Sequence, residues 1–531
     1  YAKNACGCEA SSVVKIDEDL MAPPQYTVTR DVVELDSERV TLAFSTFGCV
    51  FSEISEAKVY LYGDPACTGE PVAVNVLDAA AMTNPKGTYS TLFEGLDFRT
   101  VYGVKVVVRN TAGAETEETA DFSTPGETGA TFTWNTDAGD FESAANWKLG
   151  GEVAASYPTT NDIIDIAKSG AIVTFRSDET ISKITTIGQA SNPVLDLNGH
   201  ALRTTSSGAT MLLNYNYATE ENLETFLPTL TVKNGELGKN VNFQVYNGSR
   251  PGTGCVIFDN ARYVDGKLIY RIGNGFRIFV QNGSYMKLGN DVNDFTWGND
   301  AAFSGYGFFC VRGKGSYFTT TYDNGGSSRF ALNGNHNGFY VLDGAAATMT
   351  MSFCIGGGAP ATNNFAEVDN ATLTNKHNLA FGFSNSWGSW VEVGSVFNPQ
   401  LRIKGENARV LVGKDLRILD GIGAEIRYTV PTNGFAATPL TAATLSVHDR
   451  GASYVSTTPA RFYVDAKDWK RAHPEESQTL LTLTTANKEG LERLVSKSKV
   501  RGAHCTLSVT DDGKSVVVTA PPLSGLTLIV R

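Results

Sequence analysis

At 531 residues the chain exceeds what one compact core usually serves, so two or three domains are expected. Its 53 glycines, 10% aromatic content and 19% charged content describe an ordered β-rich chain, not a disordered one. A formal net charge of −12, with no run of Lys and Arg against it, argues against nucleic acid and anionic lipid as partners, and no apolar stretch of about 18 residues offers membrane insertion.

The chain opens on Tyr1, as a secreted protein does after loss of a signal peptide, and its eight cysteines fit an oxidising compartment. A secreted, extracellular or cell-surface location is therefore expected. Residues 1–22 read as an N-terminal arm. Cys6 and Cys8 stand too close in sequence to bond each other easily. Each would seek a distant partner, in this chain or in another copy, or stay a thiol in an unpaired arm.

Residues 23–125 alternate apolar and polar side chains, as half-buried strands do. The runs 40–46, 101–108 and 119–125 are predicted strands, and Asn110–Gly113 is a predicted turn. This segment resembles a fibronectin type III domain. The residues that carry the likeness are Leu96, Tyr102, Val104, Val106, Asn110 and Gly113, then Phe122-Ser-Thr-Pro125. The resemblance implies a small β-sandwich in which Leu96 and Tyr102 form a corner and the Tyr hydroxyl bonds nearby backbone. Cys49 and Cys67 fall in this segment and are expected to form a disulfide. Such domains are mostly spacers and binding modules.

From 126 to 455 a degenerate unit recurs, in which a strand meets an acidic or amide residue, a small residue and another strand. It is read at Asp259-Asn260-Ala261, Gln281-Asn282-Gly283, Asp343-Gly344-Ala345, Asp369-Asn370-Ala371 and Glu406-Asn407-Ala408. Copies lie roughly 22–37 residues apart, with one gap of about 60 that must skip weaker turns. That pattern predicts a single-stranded parallel β-helix, a solenoid in which each coil buries its face against the next. With about 4.8 Å per coil, some 11–14 coils would make a rod of roughly 55–65 Å. A β-propeller is the alternative, although its blades would need more regular spacing of about 40 residues.

This region resembles the passenger β-helices of autotransporters and related pectin-lyase-like secreted bacterial proteins. Trp134, Asn146, Trp147, Pro158 and Asp162 carry the likeness at its start, and the alternating run 406–418 carries it further on. Residues 456–531 are predicted to be the end cap that such a solenoid requires, with a strand at 479–484, a helix over 488–497 and a hairpin of 505–510 with 515–518. The fold class expected is thus all-β: a small β-sandwich, then a parallel β-helix with a C-terminal cap.

No complete catalytic constellation is read. Asn135-Thr136-Asp137 and Arg402-Ile403-Lys404 spell two short motifs of pectin-cleaving hydrolases. The Gly-His-Gly and the paired aspartates are missing: Gly199-His200 is followed by Ala201, and Asp511-Asp512 sits in a hairpin turn. Arg402 and Lys404 would point the same way from one strand, where solvated surface charge is the simpler reading. The six histidines have no metal-ligand spacing, so no metal and no cofactor is expected. Trp297, Trp387, Trp390 and the aromatic stretch 303–322 are candidates for stacking on sugar rings, with core packing as the alternative. Cys255, Cys310, Cys354 and Cys505 read equally as buried thiols or bridges.

The sequence therefore points to a secreted, non-enzymatic structural protein that assembles with copies of itself into a fibre or layer. The alternatives are a carbohydrate-binding adhesin of extracellular polysaccharide, or a polysaccharide lyase or hydrolase on the β-helix.

Overall fold

The computed structural model describes residues 26–44, 54–77, 88–185, 192–205, 229–238, 254–266, 276–288, 307–320, 329–332, 334–357, 361–386, 389–392, 396–449, 458–502 and 504–522, together with short isolated strands. Two compact units emerge. One comprises Tyr1–Phe132 and Glu142–Asp162, the other Thr133–Phe141 and Ile163–Arg531.

The first unit holds a β-sandwich. One sheet is formed by Tyr26–Glu34, Ser37–Phe44 and Thr88–Phe93, the other by Ala73–Leu77, Ile54–Tyr62, Val101–Asn110 and Glu115–Ser123. Every pairing within these two sheets is antiparallel. Alternation puts Val40, Leu42, Val59, Leu61, Val104, Val106 and Phe122 into one shared core. Leu96 is buried, and the Asp97 amide donates to the Tyr102 hydroxyl at 3.1 Å. In the same unit Asp162 is wholly buried yet satisfied. Its carboxylate accepts from the amides of Thr159 and Ala130 at 2.9 and 3.1 Å and pairs with Arg99 at 3.0 Å. Asp162 therefore anchors the local fold.

The second unit is a parallel β-helix of three sheets. Sheet one stacks Arg277–Gln281, Phe308–Arg312, Gly338–Leu342, Phe365–Asp369, Gln400–Lys404, Glu425–Thr429 and Arg461–Asp465, each in parallel register with the next. Sheet two stacks Tyr285–Leu288, Tyr317–Thr320, Ala346–Met349 and Thr372–Asn375. Sheet three stacks Asp294–Trp297, Arg329–Leu332, Ser352–Ile355 and Leu379–Phe381. In-register stacking lines like residues into columns. Val280, Val311, Val341 and Val368 form one inner column of sheet one, and Ile278, Phe309 and Phe339 belong to another. Phe309, Phe318, Phe330, Phe339 and Phe353 then fill the centre, with ring centroids 4.6 to 6.5 Å apart.

The corner between sheets one and two needs a left-handed residue, and the sequence supplies Asn or Asp ahead of a small residue. Asn198, Asn234, Asn260, Asn282, Asp343 and Asn370 all have φ between 46° and 57°, a conformation that these short polar side chains tolerate. In the expected gap of about 60 residues, Gly313 takes the position with φ 84°, so the skipped turn is a glycine turn. After Asn370 the equivalent place belongs to Gly405, because Asp369 pairs with Lys404 and Thr372 with Arg409. Gly405 to Ala408 thus turns the same corner with two residues more than the preceding coil.

The parallel ladder ends in a cap. Ser477–Leu483 pairs in parallel with Leu440–Ala442 on one side and antiparallel with Ser515–Thr519 on the other, which in turn pairs with Thr506–Val509. Helix Lys488–Ser496 starts at Asn487, whose side chain accepts from the Gly490 amide, and it buries Leu491 and Leu494. Arg493 reaches from this helix to Asp420 at 2.6 Å and also to Asp449. A short helix, Trp469–Ala472, buries Trp469.

The bond from Arg493 holds the Asp449 carboxyl below the usual carboxylate range. A lowered folded-state pKa contributes stability that is present above the unfolded value of about 4 and is lost as pH falls through the folded one. The protection factors of the 488–496 amides, with the intrinsic pH dependence of exchange divided out, are therefore expected to hold from pH 7 to about 4 and to fall below it. Arg493→Gln should give the lowered protection already at pH 7; equal protection in the variant and the parent would refute the clamp.

Candidate functional site

The outer face of sheet one carries the clearest concentration of chemistry. Side chains alternate along each strand, so positions one, three and five of every rung face outward and stack at the rung spacing of about 4.8 Å. On four successive rungs the outward positions place Phe279, Phe308, Tyr340 and Phe365 in a zigzag. Neighbouring rings meet edge to face, with centroids 5.3, 5.6 and 5.2 Å apart. Gly338 makes room for the strip, since a Cβ there would lie 2.8 Å from the Phe365 ring and 2.9 Å from that of Tyr340.

Guanidinium groups pack over these rings. Arg312 lies 4.8 Å from the Phe279 centroid, Arg277 5.2 Å from Phe308 and Arg402 3.9 Å from Phe365. Arg402 and Lys404 do face the same way, and their charge is answered across the strands. Lys404 pairs with Glu367 at 2.8 Å and Asp369 at 3.3 Å, and Arg402 with Glu367 at 3.7 Å. The hydrogen bond that Lys404 donates to Glu367 raises the Lys404 pKa, so its ammonium stays charged and is a poor proton acceptor.

Arg277 and Arg312 differ. Neither has a carboxylate partner among the described residues. Arg312 donates to the neutral Gln281 side chain at 2.9 Å, and the Arg277 Nε is buried with no hydrogen-bond partner. Burial pushes the nearby Cys255 and Cys310 thiols up to about 11, which leaves them unreactive at neutral pH.

The other sequence candidates fare variously. Of the aromatic stretch 303–322, Phe309 and Phe318 are core, while Phe308 and Tyr317 face outward. Trp297 ends a strand paired with Arg329–Leu332, and Trp390 lies in a hairpin opposite Asn385; their side chains, and Trp387 altogether, lie outside the described residues. Cys6, Cys8 and Cys49 also lie outside them. Cys67 has a free thiol, raised by burial first and by Asp64, so the bridge expected with Cys49 is not seen. Cys255, Cys310 and Cys505 are free as well, and Cys354 is fully buried. Asn135-Thr136-Asp137 is a turn tied down by Lys168, 2.7 Å from Asp137, and Asp512 braces its own turn by accepting from Thr510 and Lys514. Among the described residues no group of three His, Cys, Asp or Glu side chains could hold a metal ion, and no helix is long and apolar enough to cross a membrane.

Fold and surface together define a class: a three-sheet parallel β-helix with an aromatic and arginine-rich strip along one face. No protein-family model matches the chain, and no curated protein matches it. Among solved structures, it is similar to a pectate lyase of Pectobacterium carotovorum at 11% identity, covering 66% of this chain and 86% of that one with a TM-score of 0.14. It is also similar to a pectate lyase of Erwinia chrysanthemi in complex with tetragalacturonic acid, at 10% identity over 70% and 93% of the two chains, TM-score 0.14. A family 28 exopolygalacturonase of Yersinia enterocolitica is similar at 11% identity over 88% of each chain, TM-score 0.19. Likeness at this level does not transfer a reaction. It does correct one expectation: enzymes stand among the matches on this fold, so the reading of the chain as non-enzymatic is withdrawn.

Proposed function

We propose that this protein recognises an anionic extracellular polysaccharide along the outer face of sheet one. The observation that carries the reading is the pair Arg277 and Arg312, guanidinium groups on an aromatic strip that have no carboxylate partner among the described residues, in a chain of net charge −12. Guanidinium forks suit carboxylate and sulfate groups, and aromatic surface suits the C–H faces of sugar rings. Four rungs offer roughly 14 Å of such surface, a fit for an extended polymer.

A second reading adds cleavage of the same polymer. Glu367 and Asp369 face outward two residues apart beside the strip, and a lyase or hydrolase built here would draw its acid and base from them. The experiment is isothermal titration with polygalacturonate, alginate and chondroitin sulfate, run beside an assay for new unsaturated or reducing ends. Binding of at least one polyanion is expected. No heat with any of the three would overturn the reading, and end release that disappears in Glu367→Gln would establish the enzymatic form.

The protein is placed outside the cell, where such polymers occur. The N-terminal sandwich is read as a fibronectin type III-like spacer, supported by the Asp97 to Tyr102 bond. Association between copies finds support in the sandwich edge strand Ala73–Leu77, whose Val74 and Val76 are 43% and 65% exposed.

A further inference from the structure

We infer that the corner between sheets one and two carries a second carbohydrate site, a groove that takes a neutral sugar residue. The inference rests on the reading of the protein as a polysaccharide binder, but on none of the strip residues.

The groove is open and has a volume of ≈ 660 Å³. Its floor is the left-handed corner itself. Gly199 and Gly283, three coils apart, have φ of 92° and 84°, and a Cβ on Gly199 would meet nothing within 4 Å. The residues that make the turn possible thus also leave the space empty.

One wall is a ladder of amides fixed by their neighbours. Asn260 donates to the Asn234 side-chain oxygen at 3.1 Å, and Asn234 donates to Asp196 at 3.0 Å. Groups already oriented by such bonds lose little freedom when they meet a ligand hydroxyl. The facing wall, on sheet two, is Glu236, Arg262 and Tyr285. Arg262 lies 3.6 Å from Glu236 and 5.2 Å from the Tyr285 centroid, and Tyr285 stacks on Tyr317 at 5.8 Å. Arg262 and Tyr317 both pack on the Tyr285 ring, and Tyr285 lines the groove.

Polarity and charge select the ligand class. Amide and carboxylate groups line an open recess beside an aromatic ring, which suits a ligand with several hydroxyls on its rim. Glu236 and Arg262, 41% and 61% exposed, cancel each other's charge. A uronate would meet the Glu236 carboxylate, whereas a neutral residue would use it as a hydroxyl acceptor. The unpaired guanidiniums of sheet one impose the opposite preference.

The test uses the full chain with maltohexaose, cellohexaose, mannohexaose and xylohexaose, followed by saturation-transfer NMR and titration calorimetry. At least one neutral oligosaccharide should bind. Tyr285→Ala and Glu236→Ala should each weaken it roughly tenfold or more, the equivalent of about 1.4 kcal/mol, and Tyr285→Phe should keep most of it. Arg277→Ala with Arg312→Ala should leave neutral binding intact. Absence of binding to all four probes, or binding that survives Tyr285→Ala, Glu236→Ala and Arg262→Ala alike, overturns the groove. Loss of polyanion binding alone would overturn the sheet-one reading and leave the groove standing. Arg262→Ala is the fallback where Tyr285→Ala fails to fold.

Discussion

Replacing Phe339 by alanine is expected to lower stability by about 3–5 kcal/mol, the range for deleting a buried aromatic ring. The upper part of that range is favoured by where the ring sits. Phe339 is fully buried, and Phe309, Phe330 and Phe353 lie 5.5 Å away by ring centroid, with Phe318 at 6.1 Å. These partners come from three different sheets. The rungs before and after are pinned by parallel ladders on both sides of Gly338–Leu342, so the cavity has little freedom to collapse. Phe308→Ala, on the neighbouring rung but facing outward, should cost about 1 kcal/mol or less, because that ring is only half-buried. Urea unfolding of the two variants side by side measures the contrast. Near-equal losses would mean that Phe339 is not at the centre of the core. In a solenoid each coil is supported by its neighbours, so fast hydrogen exchange in Phe339→Ala should begin in the strands around 308–355.

Much of this architecture is legible in the sequence because a β-helix repeats its solution. The Asn-Gly and Asp-Gly pairs mark the left-handed corner, and Asn198-Gly199 and Asn234-Gly235 carry the same signal two coils and one coil before the corner at Asn260. They pass unnoticed because the strands beside them are short or broken by loops. Gly313 is harder to see, since a glycine turn has no side chain to align. The third sheet was not separable at all. Its strands, such as Ser352–Ile355, are buried on every residue and show no alternation, so periodicity has nothing to detect.

The second corner shows what a single sequence conceals. Asn364 is 1% exposed; its oxygen accepts from the Asn337 amide at 2.8 Å, and its nitrogen donates to the carbonyls of Leu332 and Gly334. Asn337 in turn accepts from the Gly307 amide at 2.9 Å. These asparagines read as surface turn residues, yet they satisfy buried backbone at a bend where no sheet can. The candidate site was hidden for a related reason. Phe279, Phe308, Tyr340 and Phe365 are about 30 residues apart in sequence and become neighbours only through the register of successive coils. A search for clustered tryptophans along the chain looks in the wrong direction. Alternation within each strand, combined with the corner spacing, was the signal that could have found them.

The double substitution Arg277→Ala and Arg312→Ala is expected to weaken polyanion binding about a hundredfold. A hydrogen bond to a charged group contributes about 1.5–3 kcal/mol, and each 1.4 kcal/mol is tenfold, so two lost contacts that act nearly independently reach that size. The two arginines stand on adjacent rungs but at opposite ends of the paired strands, about 14 Å apart along the backbone, so their losses should add. Fold stability should change little, because neither side chain holds a carboxylate in place among the described residues. Two further signatures separate this mechanism from general attraction. Raising salt should weaken the parent more than the variant, since the variant has lost the screened term. Binding should also stay level between about pH 6 and 9, because guanidinium groups do not titrate there. Lys404→Ala provides the counter-test. It uncovers Glu367 and Asp369 beside the strip and should weaken a polyanion by repulsion even though Arg277 and Arg312 remain. A variant lacking both arginines that still binds as tightly as the parent would move the recognition surface away from sheet one altogether.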